Sequence, residues 1–302
     1  MTRTQAMSAA TAVLALVGLT ACSGPPAQDP TSGRSSTSAP ATTDGSAGTD
    51  ASAGTCEDVT ATFRDVVSAN PDLADPVLQT SCDGEVVTVS GNGIPDYAYI
   101  ATSPGVPTAQ DLAFEIPLAP VPADEPSDVA LLGPIAVAVD GVPIYGPTEG
   151  SGGDVLSLAG ALSACGSHNG PTGFHLHLFG WESGTDCLYS ADEVATGSVQ
   201  VGWSPDGYPI MSGLVCADEA CTSTEQLTSS WQLTDASLFA TDTWAAHSYV
   251  EGSGDLDRCN GRVDDDGQYR YYTTTSFPYV LGCYTGTVAD SAIPAAGGGP
   301  GR

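Results

Sequence analysis

The chain of 302 residues carries 36 acidic side chains against seven arginines and no lysine, a formal charge of −29. A field of that sign repels phosphate, which sets aside nucleic acid and anionic membrane surfaces as direct partners. The missing lysine also removes the Walker loop, the Schiff base and the Ser-Lys dyad.

In chain order, Met1-Thr-Arg3 and the apolar run after it read as a secretory signal, because the run is well short of the roughly 20 residues that cross a bilayer. The run ends in Leu19-Thr-Ala-Cys22, which resembles a bacterial lipobox. Residues 1–22 are therefore expected to be a lipoprotein signal, with Cys22 lipidated and the protein anchored at the extracytoplasmic face of a bacterial cell membrane. The alternative, ordinary cleavage after a small residue, leaves Cys22 a lone thiol in an exported chain. Residues 23–54 shrink almost entirely to Ser, Thr, Ala, Gly, Pro and Asp, a composition that cannot offset its ordering entropy, and predict a flexible tether.

Eight further cysteines remain: Cys56, Cys82, Cys165, Cys187, Cys216, Cys221, Cys259 and Cys283. An even number without any Cys-x-x-Cys spacing predicts four disulfides in an exported chain. Pairing in sequence order is preferred, because each pair then brackets one local segment. Each of the three larger loops would contribute about 3 kcal/mol by restricting the unfolded chain.

Residues 55–84 read as a small N-terminal disulfide segment, 85–285 as the main domain and 286–302 as a flexible tail. Two stretches have helical character: Cys56 to Asn70, with Val59, Phe63, Val66 and Val67 on one face, and Asp154 to Ala164, with Asp154 as a cap. Short alternating or β-branched runs recur elsewhere, as in Glu85 to Ser90, Ala136 to Val139 and Gln268 to Thr273, between turns drawn from 36 glycines and 22 prolines. The predicted fold is mainly β, a disulfide-stapled β-sandwich or irregular β-barrel with one or two short helices. An internal echo joins Val137-Ala-Val-Asp140-Gly141-Val-Pro-Ile144 to Val201-Gly-Trp-Ser-Pro-Asp206-Gly207-Tyr-Pro-Ile210. Asp-Gly between apolar runs predicts two equivalent hairpins with type I′ turns.

Three of the four histidines fall within ten residues, in Cys165-Gly-Ser-His168 and Phe174-His175-Leu176-His177-Leu178. If Phe174 to Phe179 is a strand, Phe174, Leu176 and Leu178 share one face while His175 and His177 share the other. His168, held near by Cys165, is the third candidate ligand. Neutral imidazoles suit copper or zinc, and with imidazoles of ordinary basicity binding should weaken as pH falls through about 6.5. Asp140, Asp206 and His247 are weaker candidates, their bland readings being turn residues and a satisfied structural histidine. Asp264-Asp-Asp-Gly267 lacks the spacing and terminal glutamate of a calcium loop and reads as a solvated turn. In Gly202-Trp-Ser204-Pro205-Asp206 the proline removes an N–H that a nucleophile elbow needs.

These residues, taken together, resemble the YHYH-domain family, named for a Tyr-His-Tyr-His motif. The resemblance runs from about residue 85 to 283 through eight ordered blocks: Gly93-Ile-Pro-Asp96, Phe114-Glu-Ile-Pro-Leu118, Asp140-Gly-Val-Pro-Ile-Tyr-Gly-Pro147, the histidine segment with Cys187-Leu188, Asp206-Gly-Tyr-Pro-Ile210, Leu256-Asp-Arg-Cys-Asn-Gly-Arg262, Tyr269-Arg-Tyr-Tyr272 and Phe277-Pro-Tyr-Val280. Phe174 and Leu176 replace the tyrosines of the naming motif, so no hydroxyl is required there. Arg270 stands where longer members carry a further histidine, which weakens any scheme that draws imidazoles from both motifs. The resemblance implies paired histidines without implying what they bind. Three readings follow: an envelope-anchored module that binds a divalent metal at the cluster, a surface-interaction β-domain with structural histidines and no metal, and a metal-dependent hydrolase using an open coordination position.

Overall fold

The computed structural model describes residues 54–180 and 186–294. The signal and lipidation expected of residues 1–22, all but the last residue of the tether, and the end of the tail therefore lie outside the described residues. Strands dominate, as expected, and four disulfides join Cys56 to Cys82, Cys165 to Cys187, Cys216 to Cys221 and Cys259 to Cys283. Among the described residues no helix is long and apolar enough to cross a membrane.

A three-stranded antiparallel sheet comes first: β1 (Leu78–Cys82), β2 (Val86–Gly91) and β3 (Leu112–Pro117). Its period-two pattern is plain, since Val87 and Val89 on β2 and Leu112, Phe114 and Ile116 on β3 are buried while their neighbours are not. Their buried face packs against Val137 and Trp203 of the main sheet. Of the tail after residue 285, the part around Ala292 lies on β3, where the Glu115 N–H donates to the Ala292 carbonyl at 3.0 Å and Ala292 is buried.

The main sheet has eight strands: β5 (Pro134–Ala138), β6 (Pro143–Tyr145), β7 (Ser167–Gly170), β8 (Gly173–Leu176), β9 (Gln200–Trp203), β10 (Pro209–Met211), β15 (Gly261–Val263) and β16 (Tyr269–Tyr272). Their order is β15-β16-β10-β9-β5-β6-β8-β7, so the sheet is open with β15 and β7 at its edges, and the barrel alternative is not realised. Central β5 is buried along its whole length, the mark of a strand covered on both faces. The remaining strands among the described residues form three two-stranded pairs: β4 (Pro122–Asp128) with β17 (Cys283–Gly286), β11 (Leu214–Cys216) with β12 (Thr224–Gln226), and β13 (Trp231–Leu233) with β14 (His247–Tyr249).

The internal echo is a real duplication of hairpins, β5–β6 and β9–β10, which meet through the β5–β9 pairing of Val137 with Trp203. The turns differ from expectation. Only Gly141 and Gly207 take positive φ (83° and 91°), while Asp140 and Asp206 do not. Each loop closes the same way: Gly141 N–H donates to Ala138 and Gly207 N–H to Ser204, with Ala138 N–H reaching Val142 and Ser204 N–H reaching Tyr208. That is a three-residue loop, a type I turn followed by glycine in the left-handed region, and Pro205 suits its first central position.

Among the described residues there are three short helices, where one or two are expected from the sequence: α1 (Cys56–Thr60), α2 (Ala191–Val194) and α3 (Thr243–Ala246). The first begins where expected, capped by Thr55 with Asp58 in a capping box, yet it stops after five residues. Beyond it the Arg64 N–H donates to the Val139 carbonyl, Arg64 reaches the Leu188 carbonyl, and Trp203 Nε1–H donates to Thr62. Tertiary hydrogen bonds replace the helical ladder, and Val67 is left exposed. The helix expected over 154–164 is absent. Asp154 spends its carboxylate on Tyr279, Thr243 and the Leu156 N–H, Gly160 takes φ 78°, and Leu156 and Leu158 face solvent.

Candidate metal centre

The β7–β8 hairpin at the sheet edge builds the site. Its antiparallel register sets His168 directly opposite His175, so their side chains share a face. His177 follows two residues on, past the end of β8, where its N–H donates to the Gly166 carbonyl and returns its ring to the same side. The alternation read from the sequence is therefore obeyed: Phe174 and Leu176 enter the core while the imidazoles meet on the opposite face. Glycine makes room for them, since a Cβ on Gly170 would come within 2.8 Å of His175 Cε1. The Cys165–Cys187 disulfide ties the chain two residues ahead of this hairpin to the segment that follows it.

Three Nε2 atoms converge. His168 Nε2 lies 2.9 Å from His175 Nε2, which lies 3.1 Å from His177 Nε2. On their far sides, His175 Nδ1 is 2.9 Å from the Gly173 carbonyl and His177 Nδ1 is 2.6 Å from the Gly146 carbonyl. A carbonyl only accepts, so both Nδ1 atoms carry protons and both Nε2 atoms present lone pairs. Burial, reinforced by the neighbouring imidazoles, pushes His175 well below the usual range, and burial takes His177 down to about 3. Two neutral rings thus aim lone pairs at each other, an arrangement that a cation between them relieves. Nitrogens around a tetrahedral zinc, at roughly 2.0–2.1 Å from it, stand about 3.3 Å apart, within a few tenths of an ångström of the two shorter spacings, and the three ligand atoms all lie within 4.8 Å of one another. The depressed basicity also corrects the acid limit read from the sequence, because protons compete for His175 and His177 only well below pH 6.5.

Other residues complete the surroundings. Tyr145, at the end of β6, stacks on His175 with ring centroids 3.9 Å apart and planes 13° from parallel, its hydroxyl 3.0 Å from Thr172 Oγ1. Glu149 places Oε1 3.9 Å from His168 Nδ1, the one outer nitrogen of the three without a carbonyl partner. A cavity of about 330 Å³ borders all three imidazoles and is lined further by Leu132, Tyr145, Glu149, Pro171 and Thr172. Tyr145 lies in a block that the sequence singles out, as part of the hairpin echo. Glu149 and Gly170 carry no signal in the sequence beyond being an acid and a glycine in a loop.

The weaker candidates lie apart from this group, which among the described residues contains only the three histidines. Asp140 is buried in the β5–β6 turn, accepting the Val142 N–H through Oδ1. Asp206 accepts from the Tyr271 hydroxyl and the Gly286 N–H. His247 donates Nδ1–H to the Thr243 carbonyl and stacks on Phe277 at 4.1 Å. In the turn between β15 and β16, Asp264 is gripped by Arg262 and Arg270, and Asp266 by Arg270, so these carboxylates neutralise arginines. Arg270 is a structural clamp.

Residues 113–286, more than half of the chain and all of the histidine cluster, match a family model described as YHYH protein. No curated protein and no solved structure matches the chain.

Proposed function

The chain belongs to the YHYH protein family, and on that footing we propose that it is an extracytoplasmic protein that binds one divalent transition metal, copper or zinc, through His168, His175 and His177. The observation that carries this reading is the convergence of the three Nε2 atoms, two of them deprotonated because their Nδ1–H groups are spent on carbonyls. Imidazole donors favour copper and zinc over calcium or magnesium. Placement outside the cytoplasm is supported by the four disulfides, which persist in oxidising compartments. Leu19-Thr-Ala-Cys22 adds the proposal that a lipid on Cys22 holds the protein to the membrane.

The test is elemental analysis of untagged protein after incubation with each metal and desalting. One equivalent of copper or zinc per chain is expected, and none after His168→Ala/His175→Ala/His177→Ala. A wild-type protein that retains no metal hands the site to the surface-interaction reading, with the imidazoles as packing elements.

A further inference from the structure

We propose that the ion held by this triad keeps one coordination position open to the adjoining cavity, and that this position takes a small uncharged ligand with one lone-pair donor and an apolar body. The inference rests on the metal reading above and adds the class of molecule the centre receives.

Four observations carry it. The grouping contains three protein ligands among the described residues, whereas closed structural zinc sites take four and sites with three leave a place for an exogenous donor. The cavity touches all three imidazoles, and at about 330 Å³ it falls at the small end of the range for ligand pockets. Part of its wall is apolar: it is lined by Leu132, a residue 58% exposed, together with Pro171 and Tyr145. A leucine left in water beside a polar centre supplies surface for an apolar group to cover. Finally, the wall holds Glu149, whose Oε1 is buried without a hydrogen-bond partner. An anionic ligand entering here would meet that carboxylate and the field of a chain with formal charge −29. A neutral nitrogen or sulfur donor meets neither penalty.

The experiment uses the full untagged chain loaded with one equivalent of Cu²⁺, titrated separately with imidazole, 1-butylimidazole and acetate and followed by visible absorption, with copper retention checked after desalting. A saturable change at one ligand per chain is expected from both imidazoles, 1-butylimidazole binding at least about tenfold more tightly because its alkyl arm covers Leu132. In Leu132→Ser that advantage should fall to within about threefold, read as the ratio of the two imidazoles' affinities within the same variant. Acetate should bind most weakly. Equal affinity for the two imidazoles in wild type, or tighter binding of acetate, overturns the ligand class. No spectral change with any probe, or stripping of copper without a ternary complex, overturns the open position. Failure of the underlying metal reading is distinct, because Cu²⁺ would then fail to bind before any probe is added.

Discussion

His168 and His175 stand directly opposite each other across the β7–β8 hairpin with their Nε2 atoms 2.9 Å apart. Cross-strand register, not a loop, fixes that distance, so the centre is as rigid as the ladder that carries it. His177 joins them from just beyond the strand, its outer nitrogen tied to Gly146 in the loop after β6. The site is thus shared between neighbouring strands β6, β8 and β7.

Space behind His175 depends on Gly170. A methyl group there would press within 2.8 Å of the ring. Gly170→Ala is expected to fold as wild type by circular dichroism yet lose at least about tenfold in copper or zinc affinity by calorimetry, because a ring shifted by a few tenths of an ångström misaims its lone pair. Unchanged affinity would show that the ring has freedom to move.

Acid should release the metal later than free imidazoles would. At pH 5.5 a ligand of ordinary pKa, about 6.5, is roughly nine-tenths protonated and costs about tenfold in affinity. His175 and His177, held below that range by burial, pay no such cost at this pH. The fall in zinc affinity between pH 7.5 and 5.5 should therefore be about a hundredfold smaller than for three ordinary imidazoles. Competition titrations with a metallochromic chelator at the two pH values measure it, and a thousandfold fall would contradict the burial argument.

Asp140 gives folding stability its own pH dependence. Burial, with Asp96 nearby, pushes this carboxyl up to about 7, against the opposing influence of the Val142 N–H and Arg64. Between about pH 4 and pH 7 the folded chain holds a proton that the unfolded chain releases, so the ionisation of Asp140 lowers stability as pH rises through that window and costs a constant amount above it. Asp140→Asn keeps an acceptor for Val142 and removes the titration. Its stability relative to wild type should rise by roughly 2–4 kcal/mol between pH 4 and pH 7.5, measured by urea unfolding with the disulfides intact. A difference that stays constant with pH would refute the assignment.

Lipidation is tested at the mature N-terminus. Mass spectrometry should find a diacylated Cys22 as the first residue, and Cys22→Ala should release protein from the membrane fraction. An unmodified product that starts elsewhere removes the anchor from the account.

How far the sequence discloses the fold varies with the range of the interaction responsible. Alternation across Phe174, His175, Leu176 and His177 is a period-two signal, and it sorts core from site correctly. The two Asp-Gly hairpins are legible for the same reason, although their turn class depends on φ at Asp140 and Asp206, which composition does not set. Residues 61–70 and 154–164 mislead because helical spacing competes with bonds to distant partners: Val139 and Leu188 claim Arg64, while Thr243 and Tyr279 claim Asp154. Glu149 reaches the site across 19 positions of chain and Gly170 acts by lacking a side chain, so neither leaves a local pattern to read.

The central claim is that the three imidazoles hold an ion, and the most direct measurement is isothermal calorimetry of zinc and copper binding to untagged wild type and to His175→Ala/His177→Ala, with circular dichroism showing both proteins folded. Wild type should bind one equivalent, and the double variant should lose at least about a hundredfold in affinity, as expected when two of three ligands are removed. Equal binding by the two proteins, or no binding by wild type, would contradict it.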